Sequence, residues 1–188
     1  GSFVGKGLFD VRAVHDVLHG RVAPGKLLSH DLFEGLWARC AFLSDVVVLE
    51  SHPMHPEVAA SRVHRWTRGD WQLLAFLGAV LGGGVGALNV WKVFDNLRRS
   101  LVAPACVALL WLAFTTSVIA PGVAVALVLA ALGLGPLIGA LAGLTPGRGH
   151  VAWGHLAREG LRDVARVIAG TAWLAATLLH AASLQVDA

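Results

Sequence analysis

The distribution of charged residues divides the chain into a polar first part and an apolar second part. Most of the Asp, Glu, Lys, Arg and His residues lie within residues 1–70, whereas residues 100–147 contain none of them. An uncharged, apolar stretch of that length is typical of a segment embedded in lipid. We therefore expect a water-exposed part that carries the chemistry, followed by an anchor in the membrane.

The pattern in the first part predicts short helices and strands. Apolar residues at helical spacing predict a helix over residues 8–18, which ends near Gly20. Residues 21–26 contain a Pro-Gly pair and predict a loop. Residues 45–50, with the sequence DVVVLE, form a short β-branched run that predicts a buried strand. Residues 1–7, GSFVGKG, are typical of a short strand and turn.

Two further helices are predicted in the first part. Ser29 has the character of an N-cap, and Asp31 lies in the first turn of the helix that follows it. Pro56 suits the first turn of a second, longer helix that ends near Leu77. The combination of strands and helices predicts that residues 1–80 form the last part of a cytoplasmic α/β domain.

The second part predicts two membrane-spanning helices joined by a tight turn. Residues 101–119 and 123–144 are each apolar and long enough to cross a hydrocarbon core of about 30 Å, and a Pro-Gly pair separates them. Basic residues flank this hairpin on both sides: Lys92, Arg98, Arg99, Arg148, Arg158, Arg162 and Arg166. Because such residues mark the cytoplasmic side, we expect residues 1–100 to face the cytoplasm and the helices to lie in the cytoplasmic membrane.

Two segments near this hairpin leave alternatives open. Residues 167–186 are either a third span, interrupted by His180, or a buried amphipathic helix. Residues 71–91 carry no charged side chain, as a span would, but the glycines at 82–84 and 86 would weaken a lipid-exposed helix. We therefore favour an interfacial loop there, with residues 81–100 forming a linker and an amphipathic helix.

Small residues recur every four positions along the second predicted span, at Ala131, Gly135, Gly139 and Gly143. Stripes of this kind let two helices approach closely in lipid. We therefore expect this stripe to pack against the first span or against residues 167–186.

Composition supports a membrane protein and argues against a nucleic-acid partner. Hydrophobic residues make up 56% of the chain and charged residues 14%, against roughly 45–50% and 25% in soluble domains. The net charge of +3 is small and scattered, unlike the basic patch of a nucleic-acid-binding protein. Cys40 and Cys106 lie in different parts of the chain, so we expect free thiols. The chain begins without Met, and we expect it to be an internal piece of a longer protein.

Asp31 is the first candidate for chemistry. It ends the run Leu27-Leu28-Ser29-His30-Asp31, in which an apolar, strand-like pair precedes a helix start. The partial positive charge of a helix N-terminus stabilises a carboxylate, and a fixed carboxylate can act as a general base toward a sugar hydroxyl. The alternative is an acid that only complements the helix dipole.

A second candidate site lies on the long helix that begins at Pro56. Helical spacing places four residues on one face: Arg62, Arg65, Trp66 and Gly69. Arginines suit a diphosphate through bidentate hydrogen bonds, an indole suits the apolar face of a pyranose ring, and a glycine permits close approach. The alternative is a basic interfacial helix with its Trp at the depth of the lipid headgroups.

Other sites are less specific. Residues 1–7, which include Phe3 and Gly5, either cradle a phosphate or simply turn the chain, and they lack the Walker pattern. His52 and His55 are close in sequence, but no Cys or carboxylate stands at metal-ligand spacing with them. We therefore expect no metal site within this chain.

Four motifs, taken in order, resemble one family. The runs are GSFVGKGLFDV, LLSHDLFEGLWAR, SRVHRWTRGDWQLL and NVWKVFDNLRRSLVAP. Together they strongly resemble the cyclic β-1,2-glucan synthase family over residues 1–105, and more loosely to the end of the chain. A more distant resemblance is to cellulose and hyaluronan synthases, which carry Thr-Glu-Asp and Gln-x-x-Arg-Trp motifs.

The resemblance implies roles for individual residues. Ser29-His30-Asp31 occupies the place of Thr-Glu-Asp, so Asp31 is the implied catalytic base. Arg65 and Trp66 match the Arg-Trp pair, which implies contact with the donor diphosphate and stacking on the acceptor sugar. Arg62 stands where the cellulose-type enzymes have Gln, and this difference weakens the inference that Arg62 makes the contacts of that Gln. The remaining implied substrate-binding residues are Gly69, His30, Gly5 and Phe3.

The implied reaction is an inverting transfer of glucose from UDP-glucose to a growing β-1,2-glucan, on a GT-A fold with Mg²⁺ or Mn²⁺ on the diphosphate. The Asp-x-Asp that holds such a metal would precede Gly1, so this piece should be inactive alone. Two alternatives stay open: a related membrane polysaccharide synthase that uses another nucleotide sugar, and a non-catalytic membrane subunit that binds a partner through its cytoplasmic face.

Overall fold

The computed structural model describes residues 7–22, 25–27, 30–38, 41, 45–49, 51, 53–144 and 153–188. The α-helices are α1 (Val11–Leu18), α2 (Asp31–Ala38), α3 (Pro56–Gln72), α4 (Leu77–Ala79), α5 (Ala87–Thr115), α6 (Pro121–Ala142), α7 (Trp153–Ala176) and α8 (Leu178–Asp187). A 3₁₀ turn, Leu73–Phe76, precedes α4, and a π-helical turn, Val80–Gly84, follows it. The chain forms two compact units, Gly1–Leu101 with Asp187–Ala188, and Val102–Val186.

The prediction of an α/β fold is wrong, because the described residues form helices and no strand. Residues 45–49, most of the predicted buried strand, are irregular, and Val47 and Leu49 are 79% and 91% exposed. A strand must pair its backbone N–H and C=O groups with a neighbouring strand. The described residues provide no such edge, so β-branched side chains alone did not produce a strand there.

The predicted first helix is confirmed, with a later start. Its N-cap is Asp10, whose carboxylate accepts hydrogen bonds from the backbone N–H groups of Arg12 at 2.9 Å and Ala13 at 3.0 Å. The helix therefore begins at Val11 rather than at residue 8. Gly20, which follows the helix, has a φ of 75°, a conformation that favours glycine.

Two apolar clusters in the first unit hold α2 in place. Phe33 and Leu36, which lie three residues apart and so share a face of α2, are buried in these clusters. Their buried partners are Leu73, Phe76, Val80, Val93 and Leu97. The rings of Phe33 and Phe76 have centroids 5.0 Å apart. This packing against the turns after α3 and against α5 fixes the position of α2.

The glycine-rich run after α3 is helical as far as Gly84 rather than an open loop, and only residues 85–86 interrupt the helical turns before α5. The long predicted helix ends at Gln72, and the chain continues through the 3₁₀ turn, α4 and the π-helical turn. Leu73, Phe76 and Val80 are buried at regular intervals along this segment. Their burial against α2 provides stability that the glycines do not supply, so packing overrides a low helix propensity.

Among the described residues, two helices are long and apolar enough to cross a membrane. They are α5, with 29 residues, and α6, with 22 residues, which contain 18-residue stretches with mean hydropathies of 1.5 and 2.3 respectively. The helices α7 and α8 meet at a bend of 61°, and this pair would count as a third span only if it is one broken span. The apolar, largely exposed surface of α6 requires lipid around it.

The predicted packing of the small-residue stripe is wrong within the described chain. Gly135 and Gly139 have no neighbour within 4 Å of the position that a Cβ would take, and Gly143 meets only carbonyl oxygens of α6 itself. Gly133 instead contacts α7: a Cβ at Gly133 would lie 2.7 Å from Oγ1 of Thr171. Helical spacing identified residues that share a face, but not the face that meets a neighbour.

Candidate functional site

The start of α2 is capped by His30. Its carbonyl oxygen accepts the N–H of Glu34 at 2.9 Å, and its imidazole Nδ1 accepts the N–H of Phe33 at 3.4 Å. The Glu34 carboxylate accepts the N–H of His30 at 3.3 Å, so the two residues cap each other. Because Nδ1 is an acceptor, a neutral ring carries its proton on Nε2. Ser29, the predicted N-cap, lies outside the described residues.

The imidazole of His30 lies against the last turns of α3. A Cβ at Gly69 would be 3.1 Å from Cδ2 of this ring, so the absence of a side chain at position 69 permits the approach. The Nε2 of His30 is 3.4 Å from Oδ1 of Asp70, and the two side chains are only 11% and 16% exposed. The start of α2 and the end of α3 are thus in direct contact.

Asp70 is the centre of a polar cluster that the sequence analysis did not identify. Ser100 Oγ donates to its Oδ2 at 2.6 Å, and Asn96 Nδ2 donates to its Oδ1. Asn96 and Ser100 lie one turn apart on α5, and both are buried. A carboxylate in a largely buried position needs such donors, because burial without them is unfavourable. We refer to His30, Asp70, Asn96 and Ser100 as the Asp70 network.

The sequence contains a weak signal for this network. Asn96 and Ser100 are four residues apart and lie beside Val93 and Leu97, so helical spacing places two polar side chains on an apolar face of α5. A polar pair on a buried face requires a polar partner. Spacing along one helix cannot identify that partner, because Asp70 comes from a different helix.

The predicted basic face of α3 is partly open to solvent. Trp66 is 57% exposed, and the guanidinium carbon of Arg62 lies 5.7 Å from the centre of its ring, a cation–π distance. Arg65 is exposed and makes no hydrogen bond or ion pair within the described part of the chain. Thr67, by contrast, is buried. The helix therefore packs through one side and presents its arginines and indole on another.

Asp31 occupies the first turn of α2 and is half-buried. Within the described ranges it makes no hydrogen bond or ion pair, including with Arg65 or Trp66. The contact between the two candidate groups is made instead by the neighbouring His30, against Gly69. The remaining predicted site residues, Phe3 and Gly5, lie outside the described residues.

Metal-ligating side chains do not converge in the described part of the chain. No group of three or more His, Cys, Asp or Glu residues there is arranged to hold an ion. His52, one of the two histidines considered from the sequence, is outside that part. Cys106 is a buried free thiol.

The apolar helices define the class of protein: it is an integral membrane protein whose first unit carries a polar site. No family model matches the chain. The chain is 38% identical, over 190 residues and 100% of its length, to the cyclic β-(1,2)-glucan synthase NdvB of Rhizobium meliloti (strain 1021). It spans 7% of the length of that relative. The resemblance to cyclic β-1,2-glucan synthases is thereby confirmed, and it extends over the whole chain.

Proposed function

We propose that the chain is part of a membrane glycosyltransferase that transfers glucose from UDP-glucose to a growing β-1,2-glucan with inversion. The proposal rests on one structural observation. His30, which precedes the candidate base Asp31, packs against Gly69 on the face of α3 that carries the second candidate group. The similarity to NdvB, which is named as a cyclic β-(1,2)-glucan synthase, supports glucan as the product.

In the proposed reaction, an acceptor hydroxyl oxygen attacks the anomeric carbon of the donor. The bond from that carbon to the diphosphate breaks, UDP leaves, and attack from the opposite side inverts the configuration. Asp31 takes the proton of the attacking hydroxyl. Because its carboxylate has no hydrogen bond or ion pair among the described residues, its oxygens are free to accept that proton.

We assign the departing diphosphate to Arg65 and the acceptor sugar to Trp66. An exposed guanidinium with no internal partner in the described chain can donate bidentate, charge-assisted hydrogen bonds to phosphate oxygens. The indole of Trp66 has Arg62 near its ring and is still more than half exposed, which leaves apolar surface for a pyranose ring.

Mg²⁺ or Mn²⁺ would neutralise charge on the diphosphate of the donor. The described residues contain no ligand set for such an ion. The roles of Asp31, Arg65 and Trp66 are therefore assigned without any contact to a metal.

Asp31→Asn in the full-length protein tests the assignment of the base. The substitution keeps the shape of the side chain and removes its basicity, so glucan synthesis from UDP-glucose in membranes should fall by about 10²–10⁴-fold. Glu57→Gln is the matched control, because it removes an exposed carboxylate from the first turn of α3 and should leave the rate unchanged. Near-normal synthesis by Asp31→Asn would contradict the proposal.

A further inference from the structure

We propose that Asp70 is a positioning residue for the transfer step. Through His30 it fixes the first turn of α2, and with it the carboxylate of Asp31, at one place against α3. The inference rests on the proposed function, because the role is defined relative to Asp31.

The imidazole of His30 is held on several sides. Nδ1 accepts the N–H of Phe33, Nε2 faces Oδ1 of Asp70 at 3.4 Å, and Cδ2 lies against Gly69. A ring with both nitrogens engaged and one edge against a backbone has a single favourable orientation. Since His30 is also the cap of α2, its position determines where the first turn of that helix begins.

Asp70 is held in turn by α5. Asn96 donates to one of its carboxylate oxygens and Ser100 to the other, and both donors are buried. A residue of α2, a residue of α3 and two residues of α5 therefore meet at one carboxylate. A carboxylate that lay at the end of a helix and contacted only water would not require these buried hydrogen-bond donors.

Asp31 depends on this arrangement, because it has no anchoring polar contact of its own in the described structure. Its place is set by the helix start that carries it, and so by His30 and Asp70. A general base must lie about 2.6–3.2 Å from the atom whose proton it removes. A displacement of about 1 Å can lower a rate by about 10²-fold.

The first test is the glucan synthesis rate of the full-length protein in membranes, with UDP-glucose as donor. Asp70→Ala should lower the rate by about 10- to 100-fold. Asp70→Asn keeps an oxygen that can accept from His30 and Asn96, and should stay within about fivefold of the unsubstituted protein. Asp16→Asn is the matched control: Asp16 also lies beside a histidine, with His15 Nδ1 at 3.5 Å, but both side chains are largely exposed.

A double-mutant cycle separates positioning from a purely structural role. If Asp70 acts through Asp31, Asp70→Ala should lower the rate far less when Asp31→Asn is already present, because no base remains to be misplaced. Equal fold losses in both backgrounds would overturn the proposal. If Asp70→Ala does not accumulate in the membrane, Ser100→Ala replaces it in the cycle. That substitution removes the hydrogen bond to only one carboxylate oxygen of Asp70. A normal rate for Asp31→Asn alone would instead refute the proposed function, so the two failures are distinguishable.

Discussion

At the scale of single residues, the contact between Gly69 and His30 joins the two candidate groups. An alanine methyl at position 69 would lie 3.1 Å from Cδ2 of the ring, closer than the optimum of roughly 3.5–4.0 Å for carbon atoms. The ring cannot withdraw without weakening its contacts with Phe33 or Asp70. Glycine at this position is therefore required by a neighbouring side chain rather than by an unusual φ.

Gly69→Ala should lower glucan synthesis by about tenfold, because it displaces the cap of α2. Alanine normally stabilises a helix interior by up to about 1 kcal/mol over glycine, and the crowding of His30 should offset that gain. Thermal unfolding in detergent together with the synthesis rate checks both effects.

Gly78→Ala is the control for this change, because a Cβ at Gly78 would meet nothing within 4 Å. That variant should be at least as stable as the unsubstituted protein, with normal synthesis. The same behaviour from both alanine variants would show that the contact with His30 does not constrain position 69.

At the scale of elements, local signals predicted the starts of α2 and α3, whereas α1 begins three residues after the predicted position, and they predicted neighbouring elements poorly. The helix starts depend on chemistry within a few residues, such as the carboxylate of Asp10 and the fixed φ of Pro56. The conformations of residues 45–50, predicted as a strand, and of residues 71–91, predicted as a loop, depend on partners far along the chain. Neither prediction held for the described residues, because pairing and packing decide such segments.

The contact between α6 and α7 gives a prediction at this scale. A Cβ at Gly133 would lie 2.7 Å from Thr171 Oγ1, so Gly133→Leu should separate the two helices and destabilise the protein by about 1–3 kcal/mol. Gly139→Leu, on the same helix with open space around it, should have little effect. Thermal unfolding of both variants in detergent is the measurement. A larger loss of stability in Gly139→Leu than in Gly133→Leu would mean that Gly139 packs against a helix outside the described contacts.

At the scale of the whole molecule, the helices establish an integral membrane protein, and its orientation stays a prediction. Basic residues lie in the first half of α5, at Lys92, Arg98 and Arg99, and along the first half of α7. The residues between α5 and α6 carry no charge. By the positive-inside rule, the basic flanks should be cytoplasmic and this connection should lie on the opposite side.

Cysteine labelling in sealed membrane vesicles of known orientation tests this arrangement. In a full-length protein without other reactive cysteines, Ser117→Cys should react with an impermeant maleimide only from the non-cytoplasmic side. Arg158→Cys, near the start of α7, should react only from the cytoplasmic side. Labelling of both positions from one side would rule out the predicted hairpin.

The sequence by itself determined the two apolar helices, the helix that begins at Pro56 and the place of Asp31 in the first turn of α2. These features depend on side-chain polarity, helical spacing and cap chemistry, which act over a few residues or one helix. Only the tertiary structure decided that Asp70 meets His30, Asn96 and Ser100, and that Gly133 rather than Gly139 meets a neighbouring helix. The physical reason is that a buried polar group or a close approach needs a particular partner, and packing between distant segments selects that partner.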